Sequence, residues 1–313
     1  MKTLRLILGD QLNSFHSWYK KSDADYLYLL MEVRQETDYA RHHIQKVVGF
    51  FASMRDFAKH LRKKGHRVLY LEIDDVDNTQ SIPENLQNTI KTHKIQKFEY
   101  QYPDEYRLDH QLRAFCSDIF IPHTVYDSEH FLTTRDELGD FFRGKKQYLM
   151  ESFYRYMRKK FDILLEVGQP VGGKWNYDVA NRKKYREEVP MPEPKLFRNR
   201  LKNIVEKINK AGIMTLGNIE ASHFMWPINR RQALKSLQFF LEDCLPYFGT
   251  YQDSMNRDYW SLFHSRLSFS LNTKMLGPME VIEKAVQAWE RRREEISLSQ
   301  IEGFVRQILG WRE

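Results

Sequence analysis

Short β-rich runs alternate with helically spaced apolar residues over the first part of the chain. Leu4–Leu8, Tyr26–Val33, Arg67–Ile73 and Lys97–Tyr100 are predicted strands, with a fifth around Thr124–Tyr126. Over His43–Lys64, Val47, Phe50, Phe51, Met54, Phe57 and Leu61 fall on one helical face, and Gly65 marks the stop. Glu84–His93 and Tyr106–Ser117 are predicted helices as well, the second opened by Asp104 as N-cap after Pro103. Strands separated by helices imply an α/β fold with a doubly wound, mostly parallel five-stranded sheet covered on both faces. In such sheets ligands bind outside the carboxyl ends of the strands.

From about Phe141 onward the pattern changes. Leu149–Leu165, Leu201–Ala211, Arg230–Leu245, Pro278–Glu295 and Leu298–Leu309 all carry helical spacing, so an all-helical part is expected. Gly168, Pro170, Gly172, Gly173, Pro190, Pro192 and Pro194 make Val167–Pro194 a loop-rich connection. The division expected from these shifts is an α/β domain over 1–133, a helical and Pro/Gly-rich connector over 134–200, and a helical domain over 201–313. The last helix runs into Gly310-Trp311-Arg312-Glu313 directly after an apolar stripe, so the helical domain is expected to be incomplete at its C-terminus.

At 313 residues, 42% apolar and 14% aromatic, the chain can bury more than one core. Lys and Arg outnumber Asp and Glu by 49 to 42, a formal charge of +7 that favours polyanionic partners. Cys116 and Cys244 are the only thiols and lie far apart, which argues against a disulfide scaffold and for a reducing compartment. The apolar start reads as a strand and lacks a cleavage site, and no apolar run is long enough to span a membrane, so a cytoplasmic protein is expected.

The first predicted strand ends in Gly9-Asp10-Gln11-Leu12-Asn13, with no G-x-G-x-x-G turn, so a dinucleotide cradle is not expected. The second leads to Glu36 and Tyr39, which could meet Asp10 across one crevice. Carboxylates beside an aromatic ring suit a heterocycle with N–H and hydroxyl donors, although turn and capping roles explain the same residues. His42 and His43 are adjacent and have no third ligand at suitable spacing, so no metal is expected there; one of the pair should pack on the sheet.

Further on, Tyr251-Gln252-Asp253 precedes Phe263-His264-Ser265-Arg266-Leu267-Ser268, with a helix expected from about Ser268. Hydroxyls and an arginine at a helix start can hold phosphate, or can merely cap the helix. Basic and aromatic residues interleave around Tyr154-Arg155-Tyr156, Arg158, Lys159 and Lys160, and around Lys174-Trp175, Tyr177, Arg182 and Lys183. They fit nucleic acid through phosphate contacts and stacking, and equally fit solvated helix faces. The Arg291-Arg292-Arg293 run, flanked by glutamates, reads as a solvated face.

Together these pieces resemble the cryptochrome/photolyase superfamily, and within it the iron-sulfur bacterial cryptochrome and photolyase branch. The resemblance rests on Leu6-Ile7-Leu8-Gly9-Asp10-Gln11-Leu12, Met150-Glu151-Ser152-Phe153-Tyr154-Arg155, Gly172-Gly173-Lys174-Trp175-Asn176-Tyr177-Asp178 and Glu302-Gly303-Phe304-Val305-Arg306-Gln307-Ile308-Leu309-Gly310-Trp311-Arg312-Glu313. It implies a photolyase-like Rossmann domain holding an antenna chromophore, 6,7-dimethyl-8-ribityllumazine, at Gly9, Asp10, Gln11, Glu36 and Tyr39. It implies FAD in the helical domain, at Tyr251, His264, Ser265, Arg266, Leu267, Ser268, Gln307, Trp311 and Arg312, with His264 standing where the superfamily has threonine. UV-damaged DNA is the implied partner, with Arg155, Arg158, Lys159, Lys174, Arg182 and Lys183 as contact residues, and a monomer is expected.

The implied activity is light-driven repair of (6-4) pyrimidine lesions by an electron from excited reduced flavin. The alternatives are a cryptochrome-like blue-light photoreceptor and a non-enzymatic nucleic-acid-binding remnant. The family's 4Fe-4S cluster needs four cysteines, and neither Cys116 nor Cys244 matches a cluster position. No cluster, poor FAD retention and no unaided repair are therefore expected of this chain, with catalytic residues lying beyond Glu313.

Overall fold

Alternating side chains give the sheet two buried faces. The computed structural model describes the whole chain, Met1–Glu313. In β1 (Thr3–Leu6) and β2 (Tyr26–Met31), Leu4, Leu6, Leu27, Leu29 and Met31 enter one core while Tyr28 and Leu30 enter the other. With β3 (Arg67–Leu71), β4 (Lys97–Gln101) and β5 (His123–Tyr126) they form one sheet in the order β3-β2-β1-β4-β5, every pair parallel. The five expected strands are present, their ends shifted by a residue or two. The connection after β1 goes to one side and β4 pairs on the other, so the topological switch lies between β1 and β4.

Helices α1 (Arg34–Asp38), α2 (Ile44–Lys63), α3 (Ile82–His93) and α4 (Tyr106–Asp118) follow their strands. On one face α2 buries Val48, Phe51, Phe57 and Leu61 with Ile204, Ile208 and Phe224 from far along the chain. On the other, α3 and α4 bury Leu86, Leu108 and Leu112. Each such side chain contributes roughly 1.5–3 kcal/mol by leaving water. Glu105, not Asp104, occupies the N-cap position of α4, and it makes no side-chain cap bond. The Asp104 carboxylate instead accepts a hydrogen bond from Lys274.

Two compact units are discontinuous in sequence. The first gathers Met1–His130, Leu196–Gln232 and Asn272–Met275; the second gathers Phe131–Lys195, Ala233–Leu271 and Leu276–Glu313. The second is helical as expected, apart from a small antiparallel pair, Leu165–Glu166 with Gln169–Pro170. Phe240–Cys244 is a π-helical turn just before Pro246. Proline has no N–H to give and crowds the carbonyl one turn back. Arg292 satisfies the displaced backbone, donating to the carbonyls of Leu241 and Glu242 at 3.2 Å each. It is therefore pinned and not simply a solvated face.

Two of the sequence motifs meet in this unit. A Cβ on Gly249 would stand 2.7 Å from the Ser299 carbonyl oxygen, and one on Gly303 2.8 Å from Asn181 Nδ2. Only glycine allows that approach. The loop through Trp175–Asn181 is tied to the Leu298–Arg306 helix: Tyr177 N–H donates to Glu302 at 3.0 Å, Asn181 to the Ser299 carbonyl at 2.9 Å, and Arg306 to Asp178 at 3.0 Å.

Candidate functional site

The switch point of the sheet carries a cleft with about 960 Å³ of empty space, counting its open mouth. The chain leaving β1 supplies Gly9 and Asp10, the chain leaving β2 supplies Glu36 and Tyr39, and the chain leaving β4 supplies Asp104 and Glu105. Phe50, Phe51 and Met54 of α2 form an apolar wall. A Cβ on Gly9 would come within 3.1 Å of Met54 Sδ and 3.3 Å of Phe50 Cδ1, so glycine keeps this end of the cleft open.

Ion pairs hold the polar groups. Lys274, fully buried, donates to Asp104 Oδ2 at 2.7 Å and to the Asp10 carbonyl at 3.0 Å, and lies 3.6 Å from Asp10 Oδ2. Burial pushes the Asp10 carboxyl above its ordinary value, Lys274 opposes this, and Asp104 adds to it. Arg107 grips Glu36 with both arms at 2.9 Å, reaches Glu105 at 2.9 Å, and lies 4.4 Å over the Tyr39 ring. Burial, with Glu105 and Glu36 nearby, raises the Tyr39 hydroxyl.

Four of the five residues expected around an antenna thus line one cleft: Gly9, Asp10, Glu36 and Tyr39. Gln11 does not. It is buried, its side-chain oxygen accepts from Leu8 N–H, and its amide faces the carbonyls of Gln101 and Tyr102 at 3.3 Å, so it closes the turn after β1. Of the histidine pair, His42 lines the cleft, and burial beside Lys46 lowers its basicity. His43 is exposed and caps α2 by accepting from Gln45 N–H, so neither ring packs on the sheet.

The expected flavin residues all lie in the second unit, with unequal freedom. Ser268 opens the Ser268–Asn272 helix as expected, and Ser265 and Ser268 stay partly accessible. Arg266 Nε is buried with no hydrogen-bond partner, burial lowers the guanidinium's basicity, and the group lies 5.2 Å from the Trp260 ring. A buried donor without an acceptor fits an anionic group. Leu267 is core, and Tyr251 is buried, stacked on Phe263 at 5.4 Å. The ring nitrogens of His264 lie against the carbonyls of Gln252 and Ser261 at 3.1 and 3.2 Å. Gln307 is half-buried, Trp311 is exposed, and Arg312 donates to the Leu271 carbonyl at 3.2 Å.

Among the basic residues expected to meet DNA, Arg158 is misplaced. It is buried and donates to the carbonyls of Ile163 at 3.0 Å, Leu164 at 2.5 Å and Trp175 at 2.9 Å, so it is an internal strut. Arg155 pairs with Glu151 and lies 5.6 Å from the Trp175 ring, with Lys159 at 5.4 Å. Lys159, Lys174 and Lys183 are exposed, and exposed Arg182 pairs with Asp178. No three His, Cys, Asp or Glu side chains are arranged to hold a metal ion, and no helix is long and apolar enough to cross a membrane. Burial pushes the Cys116 thiol up to about 11 and the Cys244 thiol up to about 12.

Sequence reasoning did not single out Lys274 or Arg107. Arg107 sits beside Glu105 and 71 positions from Glu36, a separation at which charge pattern says nothing. Lys274 is 264 positions from Asp10 and carries no local signal at all.

Comparison with known proteins places the chain in a family. Residues 5–224 match the family model of the deoxyribodipyrimidine photo-lyase-related protein. A (6-4) photolyase of Agrobacterium fabrum is 34% identical over 319 residues, covering 100% of this chain and 62% of that protein. Uncharacterized protein R852 of Acanthamoeba polyphaga mimivirus is 27% identical over 192 residues, covering 58% of this chain and 94% of that protein. Among solved structures, a bacterial class III photolyase from Agrobacterium tumefaciens aligns with a TM-score of 0.52 at 13% identity, covering 99% of this chain and 57% of that one. That likeness is one of fold.

Proposed function

The chain belongs to the deoxyribodipyrimidine photo-lyase-related protein family, and from that premise we propose a light-driven DNA-repair flavoprotein of the (6-4) photolyase type whose α/β unit holds an antenna chromophore. The observation that carries the reading is the cleft at the β1/β4 switch, where Asp10, Glu36 and Tyr39 converge beside an apolar wall. The residues fit a ribityllumazine: Asp10, Glu36 and Asp104 would accept hydrogen bonds from ring N–H and ribityl hydroxyl groups, and Phe50 and Met54 would cover a ring face. When bound, such a group supplies light absorption and energy transfer to a flavin. Arg107 and Lys274 keep the acceptors aimed.

In the second unit, Arg266, Ser265 and Ser268 would hold the phosphates of FAD, and the orphaned Arg266 donor supports that role. Bound reduced FAD supplies the electron for repair when excited. Lys159, Lys174, Lys183 and Arg182 would meet the phosphates of UV-damaged DNA. The chain spans 62% of the length of the (6-4) photolyase it matches, so repair is assigned to the family's whole architecture and not to these residues alone. No iron-sulfur chemistry is assigned to Cys116 and Cys244.

The test is a near-ultraviolet and visible spectrum of the purified chain, followed by release and mass analysis of its chromophores. A bound lumazine supports the reading. A protein that retains no chromophore and takes up neither lumazine nor flavin on reconstitution overturns it.

A further inference from the structure

Lys274 belongs to none of the roles assigned above by sequence. It arrives with Asn272–Met275, a four-residue stretch that packs with the sheet, and the preceding Thr273 carbonyl accepts from Leu12 N–H at 3.0 Å, fixing the stretch against the turn after β1. Its backbone is in the left-handed region at φ 61°, uncommon for a lysine, and its side chain is fully buried. The ammonium group sits between Asp104 Oδ2 at 2.7 Å and Asp10, whose carbonyl is 3.0 Å away and whose Oδ2 is 3.6 Å away. Asp10 and Asp104 both line the cleft, whereas Lys274 does not.

A buried ammonium against a carboxylate favours its ionised form; without Lys274, the desolvation of Asp10 and the nearby Asp104 charge both favour uptake of a proton by Asp10. A protonated carboxyl donates a hydrogen bond where an ionised one only accepts. We infer that Lys274 is a positioning residue that holds Asp10 as a pure hydrogen-bond acceptor, and so selects a neutral ligand rich in N–H and O–H donors. The ligand part of this inference rests on the chromophore reading; the control of Asp10 by Lys274 does not.

The two parts are separated by measuring Asp10 without ligand. Carbon-13 carboxyl NMR of the complete chain gives the Asp10 titration midpoint in wild type, Lys274→Met, Lys274→Arg and Asp104→Asn. Affinity for 6,7-dimethyl-8-ribityllumazine is read by fluorescence across pH on both sides of the measured Asp10 midpoint. The other titratable groups at the cleft, Glu36, Glu105, Tyr39, His42 and Lys46, contribute equally to variant and wild type compared at one pH.

In Lys274→Met the Asp10 midpoint should rise by about one unit or more. Lumazine affinity of Lys274→Met should fall about tenfold once pH is a unit below its own Asp10 midpoint and recover toward wild type above that midpoint, with Lys274→Arg retaining most of it. Asp104→Asn, which removes the like charge, should lower the Asp10 midpoint, and it decides the matter if Lys274→Met does not fold. Moved midpoints in the variants, with a wild type that binds no lumazine, would retain the role of Lys274 and end the chromophore reading. Unmoved midpoints in folded variants overturn the inference, even if wild type binds lumazine tightly.

Discussion

Arg107 meets Glu36 fork to fork, with both nitrogen–oxygen distances at 2.9 Å. The pair joins α1 to the start of α4 across the mouth of the cleft, and the guanidinium also covers Tyr39. Both partners are partly exposed, so the bridge adds little to stability, on the order of 1 kcal/mol or less. Its effect should appear in binding. Arg107→Ala is expected to weaken chromophore affinity about tenfold while leaving the melting temperature nearly unchanged. Arg107→Lys should not restore full affinity, because an ammonium cannot grip both carboxylate oxygens. Titration of chromophore into the three proteins checks this.

The sheet contains its own acid sensor. Burial alone would raise the Glu99 carboxyl, but hydrogen bonds from Lys97 and Arg5 outweigh it and bring Glu99 below its ordinary value. A carboxyl depressed in the folded state contributes stability above its unfolded value and loses that contribution as pH falls through the folded one. The stability difference between wild type and Glu99→Gln should therefore be present at about pH 7 and shrink below about pH 4. Arg5→Met removes one of the two cations on Glu99 and leaves Lys97 in place, so it should cost stability at neutral pH, but less than the about 3–5 kcal/mol of an unpaired buried charge. Urea denaturation across pH measures both.

Basic residues near Trp175 should separate into two behaviours. Arg158 holds three backbone carbonyls, so Arg158→Met is expected to destabilise the protein by several kcal/mol, on the scale of about 1.5–3 for each charged hydrogen bond removed. Lys159→Ala, Lys174→Ala and Lys183→Ala should each leave stability within about 0.5 kcal/mol. Each should instead reduce the salt slope of DNA binding by about one. Thermal melts and salt-dependent binding to a UV-damaged oligonucleotide distinguish the groups.

The two thiols should be inert while the protein is folded. Cys116 and Cys244 are both buried with thiols pushed to about 11 and about 12, and the thiolate is the reactive form. Iodoacetamide at about pH 8 should leave both unmodified for hours in native protein and alkylate both in urea. Rapid labelling of either in the native state would show that its surroundings open.

How much was legible in the sequence depended on the range of the interaction. Short β-rich runs marked all five strands, and the helical stripe of Val47, Phe51, Met54 and Leu61 marked α2, because those patterns are set by burial within one element. The position of the cleft followed from the same logic, since the chain ends leaving β1 and β2 lie side by side in this parallel sheet. Asp104 was misread as a cap because its partner, Lys274, comes from a distant stretch. Arg158 was misread as a surface charge because its partners are loop carbonyls, which carry no side-chain signal. Gln11 belongs to the same class, spending its amide on the backbone. The packing of Leu196–Gln232 with the sheet rests on Ile204, Ile208 and Phe224, whose spacing marks a helix and a core but not which core.

The central claim is that the cleft beside Gly9 and Asp10 is a chromophore site. Titrating 6,7-dimethyl-8-ribityllumazine into the purified chain, with Gly9→Val alongside, tests it most directly. A side chain at Gly9 would run into Met54 and Phe50 and fill the end of the cleft. Saturable binding of about one lumazine per chain is expected, weakened about tenfold or more by Gly9→Val in a protein that still melts cooperatively. No saturable binding to the wild type, or equal binding by a folded Gly9→Val variant, would contradict the claim.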